Sequence, residues 1–322
     1  MSRELKSTDE AAPQLAGNSA NSLNAVLKAA LVTGYGNTTP LGWELVHEDV
    51  NLGICVFRPK TGSRMFLQVT DDNTFGDGRC ARAISYEIMP NASTGMLPGI
   101  ALTSNPAYYV HKIFANNNNS ASPWHIIGDE VGFYLCIRVN NYNSNSSYKN
   151  FTRIYYFGEG LLLTGTTYTS NYNWLHWTHS LGAASSQIYN NAQVYIIRDP
   201  YTQLKGCVMT EGFQSIQGLV SGTADIGARY GGSIGGVYGY TPIHLIYNND
   251  VFACNLPGIF EPLFPNTPAY KRQMILYEDI DENNRIVSFP CGPIGTSDNY
   301  TLSSYLDSRL SILIGDKFRY AF

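Results

Sequence analysis

Asp71 and Asp72 close the stretch FLQVTDDN, and paired carboxylates at a strand end could hold a metal ion or work as acid and base. A metal loop needs several oxygen ligands around one point. Adjacent side chains of a strand point to opposite faces, so these two cannot reach one ion without a kink. With Asn73 and Gly76 following, the pair reads as a strand end hydrogen-bonded into a turn.

The other chemistry-bearing clusters are weighed in the same way. Glu278, Asp279, Asp281 and Glu282 form the densest acidic patch, in YEDIDENNRIVSF. Its Asp-x-Asp-x-Asn start resembles a calcium loop, but Asn284 stands where glycine is needed and Pro290 where the bidentate Glu should be. Flanked by MILY and RIVSF, the patch reads as a hairpin tip turning at Asn283-Asn284. His176 and His179 in WLHWTH have the spacing of helical metal ligands, yet the acid of an HExxH site is absent. Trp174 and Trp177 interleave with them, so the segment, with Tyr172, reads as an exposed aromatic contact loop, the other reading being packing on the parent domain. The glycine run GARYGGSIGGVYGY is followed by Thr241-Pro242 and the strand-like IHLIY. A phosphate loop needs a following helix, so Tyr230, Tyr238 and Tyr240 are read as contact residues instead. No GxSxG is present. A glycoside hydrolase would need two carboxylates that can lie far apart in sequence, so reading the chain does not locate them. No catalytic residue, cofactor or metal is expected.

Elements to position such residues are mostly strands. GICVFRP, RMFLQVTD, CARAISYEIM, WHIIGD, GFYLCIRVNN, TRIYYFGE and, later, AQVYIIRD, TPIHLIYNN, VFACNLPG, NRIVSFPC and LSILIGD combine β-branched and aromatic residues between Gly, Pro and Asn punctuation. No amphipathic helices alternate with them, which argues against a parallel sheet. The fold class expected is all-β, with antiparallel sandwich or barrel domains and one short amphipathic helix near the N-terminus. That helix is expected to be N-capped by Ser22, to place Leu23, Val26, Leu27, Ala30 and Leu31 on one face, and to stop at Gly34. Residues 1–20 are expected to be an extended or disordered arm that orders only on assembly, with a β-rich domain at 21–165. A polar aromatic linker at 166–190 and a second β-rich domain at 191–322 follow. GDEVGFYLCI at 128–137 and GDKFRYAF at 315–322 echo one another, a hint of duplicated halves.

Charged residues are only 14% of the chain, against about 25% in ordinary soluble domains, while tyrosines number 23. Low charge with Tyr, Asn, Ser and Gly in long loops suits surfaces that meet other protein. The net charge of −4 has no basic stripe, which removes the case for nucleic acid. No stretch has the length of a membrane span. MSRELKSTDE has no apolar signal core, and Cys55, Cys136, Cys207 and Cys254 lie in apolar runs as buried reduced thiols.

The order of elements resembles that of bacteriophage virion structural proteins, the tail- or baseplate-associated minor structural proteins. The resemblance rests on the Gly-Trp hairpin GNTTPLGWELVHEDVNLGICVFRP, then FLQVTDD, ARAISYEIMP, WHIIGDEVGFYLCI and the later LPGIFEPLFP. It is best over residues 31–160 and thins across 165–245. It implies a non-enzymatic β-rich subunit, present in multiple copies, whose partners are other virion proteins and copies of itself. Such a subunit is located in the virion and assembled in the host cytoplasm. The alternatives are a receptor-binding tail protein, with Tyr172, Trp174 and Trp177 stacking on host-surface glycan, or a head-decoration protein.

Overall fold

The computed structural model describes residues 1–75, 79–89, 108–112, 121–138, 152–161, 174–179, 194–198, 205–209, 213–214, 240–247, 251–262, 275–290 and 309–319. Among them the fold is almost entirely antiparallel β. The helix α1 (Ser22–Lys28) runs on into a π-helical turn, Ala29–Thr33. Leu23, Val26, Leu27, Ala30 and Leu31 are all buried, as the periodicity requires. Gly34 ends it at φ 74°, a conformation that favours glycine. The cap differs from expectation. Ser22 is the first helical residue and donates its hydroxyl to the Ala16 carbonyl at 2.7 Å. The Leu23 amide is capped instead by the Asp71 carboxylate, at 2.8 Å and 48 residues away.

A seven-stranded sheet forms the middle layer. Its spatial order is β1 (Arg3–Lys6), β9 (Trp124–Gly128), β10 (Gly132–Arg138), β11 (Thr152–Glu159), β12 (Trp174–His179), β13 (Val194–Arg198) and β14 (Lys205–Met209). On one face lies a five-stranded meander of β3 (Glu44–Asp49), β4 (Ile54–Arg58), β5 (Phe66–Phe75), β6 (Cys80–Tyr86) and β7 (Tyr108–His111). On the other lies a six-stranded sheet ordered β15 (Phe213–Gln214), β16 (Tyr240–Tyr247), β17 (Val251–Pro262), β20 (Arg309–Gly315), β19 (Asn284–Pro290), β18 (Leu276–Asp281). A small pair, β2 (Leu15–Ala16) with β8 (Ala121–Ser122), completes the set.

The period-2 alternation of the middle strands assigns their side chains to two cores. Phe133, Leu135, Ile137, Tyr155 and Phe157 join the first core with α1, Phe57, Leu67 and Val69. Tyr134, Cys136, Ile154 and Tyr156 join the second with Leu256, Ile259, Val287, Phe289 and Ile312. Since an antiparallel sheet commonly leaves one face wet, double burial explains why GFYLCIR reads as one unbroken apolar run. Cys55, Cys80, Cys136 and Cys254 are all buried.

Two expectations about organisation are corrected. Residues 1–20 are not a free arm: β1 pairs with β9 from Arg3↔Gly128 to Lys6↔His125, and Leu5 and Leu15 are fully buried in the first core. These two leucines, spaced among polar residues, supply the apolar contact that holds the segment down. The segment expected as a linker at 166–190 contains β12, an interior strand paired to β11 on one side and β13 on the other. The middle sheet therefore crosses the expected domain boundary without a break.

Candidate functional site

Five polar clusters, each with at least one side chain largely withdrawn from water, stand out among the described residues, and four of them cross between sheets. The deepest is Asp71 with Lys112, whose side chains are both 0% exposed and meet at 2.6 Å. Lys112 Nζ also donates to the Ser19 carbonyl at 2.9 Å, while Asp71 Oδ2 accepts from the Leu23 amide. The Asp71 backbone is fixed as well, its amide donating to the Gly53 carbonyl and its carbonyl accepting from Asn21. A Cβ on Gly53 would lie 2.7 Å from the Asp71 carbonyl group, so this approach demands glycine. Burial pushes the Asp71 carboxyl up, against the opposing pull of Lys112 and the Leu23 amide. Its neighbour Asp72 accepts from the amide and hydroxyl of Thr74, at the register shift between Thr70 and Phe75, but the strand expected to end at this pair runs on to Phe75.

Glu4, on β1, forms the second cluster. Its carboxylate is 1% exposed and bonds His125 on β9 and Arg285 on β19, each at 2.9 Å, and the Tyr277 hydroxyl at 3.0 Å. Burial opposes its charge, but His125 and Lys6 outweigh that and hold its carboxyl below the usual range. In the third, Arg319 grips both oxygens of Asp129 and donates to the Glu159 carbonyl at 3.2 Å. Burial works against this guanidinium, and Tyr156, Asp129 and Glu159 more than offset it. Asp129 and Arg319 sit in the two segments that echo each other in sequence. The echo is not repeated in the backbone: Gly128-Asp129 leads into a hairpin, whereas Gly315-Asp316 leads into a 3-10 turn, Asp316–Arg319.

The remaining two join the five-stranded sheet to the middle layer. The His111 amide donates to the Tyr155 hydroxyl at 3.0 Å, and Cys80 Sγ lies 3.3 Å from His111 Nδ1. Ser85 Oγ contacts His176 Nε2 and accepts from the Trp174 indole at 2.8 Å. Ser85 and His176 are the residue types of a nucleophile and its base. Both are 0% exposed, however, so a substrate cannot reach them in this fold.

His176 gives a pH dependence with a definite sign. Burial lowers its pKa from 6.5 to about 3, so it is neutral in the core. Between those values the unfolded chain binds a proton that the folded chain refuses. The contribution is fully present above 6.5 and is lost as the pH falls toward 3. His111, lowered well below 6.5 by burial and then by Arg153, acts in the same direction. The expected result is a melting temperature that falls with acidification over this window, and falls less steeply in His176→Gln. Identical slopes for the two proteins would refute the assignment.

The aromatic residues singled out by sequence are placed differently from the expected contact loop. Trp174 and Trp177 are both 0% exposed, in β12. Three residues apart on a strand, they enter opposite cores, Trp174 the first and Trp177 the second. Neither presents a face on which a sugar could stack. Tyr240 starts β16, paired with Pro262. Tyr172, Tyr230 and Tyr238, with most of the glycine run, lie outside the described residues. The acidic patch is a hairpin tip, with Asp281 accepting from Asn283, Asn284 and Lys317. Among the described residues no three His, Cys, Asp or Glu side chains converge as a metal site, and no helix is long and apolar enough to cross a membrane.

Sequence reasoning reached Asp71 but missed Lys112, Glu4, His125, Asp129, Arg319, Ser85 and His111. Their partners lie 31 to 281 residues away, so no local spacing marks them. The fold defines an antiparallel, three-layered β-sandwich. No protein-family model matches the chain, and no curated protein matches it.

Proposed function

We propose that this chain is a non-enzymatic structural subunit of a bacteriophage virion. It is a tail, baseplate or tail-tip component, assembled in multiple copies and joining neighbouring subunits or fibres. The observation that carries this reading is the latching of the layers. Ser85 and His111 tie one sheet to another from within, and Glu4 and Arg319 do so nearer the surface, so the layers cannot slide independently. A block of that kind transmits force and holds a fixed shape, which a building unit needs. The sequence resemblance and the low fraction of charged residues support the same reading. A host-glycan receptor role loses the two tryptophans that motivated it, since both are interior.

Gold-conjugated antibody against the chain, imaged on purified particles, tests the proposal. Label at the tail end is expected. Label over the head replaces the tail assignment with head decoration. Absence of label on both intact and denatured particles overturns the virion reading.

A further inference from the structure

Of the buried clusters, one sets a primary amine against a carboxyl group with water excluded. Lys112 Nζ lies 2.6 Å from Asp71 Oδ1, and both side chains are 0% exposed. We propose that Lys112 and Asp71 condense to an intramolecular amide that fastens the end of β7 to β5 across the intervening β6. This inference goes beyond the virion reading and does not depend on it.

The geometry has the parts the reaction needs. An amine within hydrogen-bond reach of a carboxyl oxygen lies about 3–3.5 Å from the carboxyl carbon, the separation of a near-attack arrangement. Asp71 Oδ2 is held by the Leu23 amide at 2.8 Å, a donor placed to receive negative charge when the carbon becomes tetrahedral. The Ser19 carbonyl takes a second Nζ proton and orients the amine. Burial pushes the Asp71 carboxyl up in this structure, toward the protonated acid that the condensation consumes.

The step balances without any co-reactant. A proton passes from Nζ to Oδ1, giving the amine and the acid. The nitrogen lone pair forms the Nζ–Cγ bond while the carbonyl pair moves onto Oδ2. The carbonyl re-forms, the Cγ–Oδ1 bond breaks, and Oδ1 takes one further proton from the nitrogen. One water leaves, and no group is oxidised or reduced. The closed loop spans 41 residues and includes all of β6.

Intact mass of the full chain under denaturing conditions tests this, after allowance for removal of the initiator methionine. The expected mass is one water below that of the sequence, with digestion yielding a branched peptide that joins the segments around Asp71 and Lys112. Lys112→Arg and Asp71→Ala should both return the full mass. Asp71→Asn keeps the shape of the site and should lose ammonia instead of water. A wild-type chain at its full sequence mass overturns the proposal, and so does a water loss that maps to any other pair of residues.

Discussion

Lys112→Met should lower the unfolding free energy by about 3–5 kcal/mol, because it leaves the Asp71 carboxylate buried with neither the amide link proposed above nor a cation to pair with. The pair is unusual in its completeness: both side chains are sealed from water, and each carboxyl oxygen has a separate donor. Removing one partner strands a charge that has already lost its hydration. For a domain whose whole stability is about 5–15 kcal/mol, such a loss brings the chain close to unfolding. Adding Asp71→Leu to Lys112→Met should recover part of the loss by removing the stranded charge. It cannot recover all, since Asp71 also caps Leu23, and a lost cap costs about 1 kcal/mol. Urea denaturation of the three proteins reads the difference. A single variant as stable as wild type would show that Asp71 finds another partner or becomes neutral without penalty.

Deleting residues 1–16 should abolish folding instead of releasing a dispensable arm. Leu5 and Leu15 are fully buried, and each is worth about 1.5–3 kcal/mol. The deletion also removes the partner strand of β9 and the Pro13 carbonyl that accepts from the Trp124 indole at 3.0 Å. Glu4 goes too, leaving the mostly buried His125 without its carboxylate. These losses together approach the stability of a domain. The exposed edge of β9 would then be a template for aggregation. The truncated chain is therefore expected in the insoluble fraction, or as a soluble form without a cooperative melt. A soluble truncation melting like the full chain would show that β1 is peripheral.

The helix and the hairpin at Asp281–Asn284 were legible in the sequence because each depends on neighbours within a few positions. The all-β class was legible because strand-type runs outnumber every other pattern. Strand β12 was not, and WLHWTH shows why. A strand buried on both faces has no polar side to alternate with, and its one described polar residue, His176, is balanced by Ser85, 91 residues away. Read alone, a histidine between tryptophans resembles an exposed aromatic loop. The N-terminal segment failed for the same reason. Glu4 looks like surface charge until Arg285 is brought to it from 281 residues away. The part of the candidate site visible in sequence was Asp71, whose buried role emerges only with Lys112 beside it.

One contact near the chain ends sets how the block can be handled. Ser2 and Gly315 are hydrogen-bonded through both backbone and side chain, and Arg319 follows within a single turn. Anything joined ahead of Ser2 and anything joined after Arg319 must leave from one corner. Load applied at Ser2 and load applied at Gly315 therefore enter the sandwich at one corner, where the first strand and the last meet.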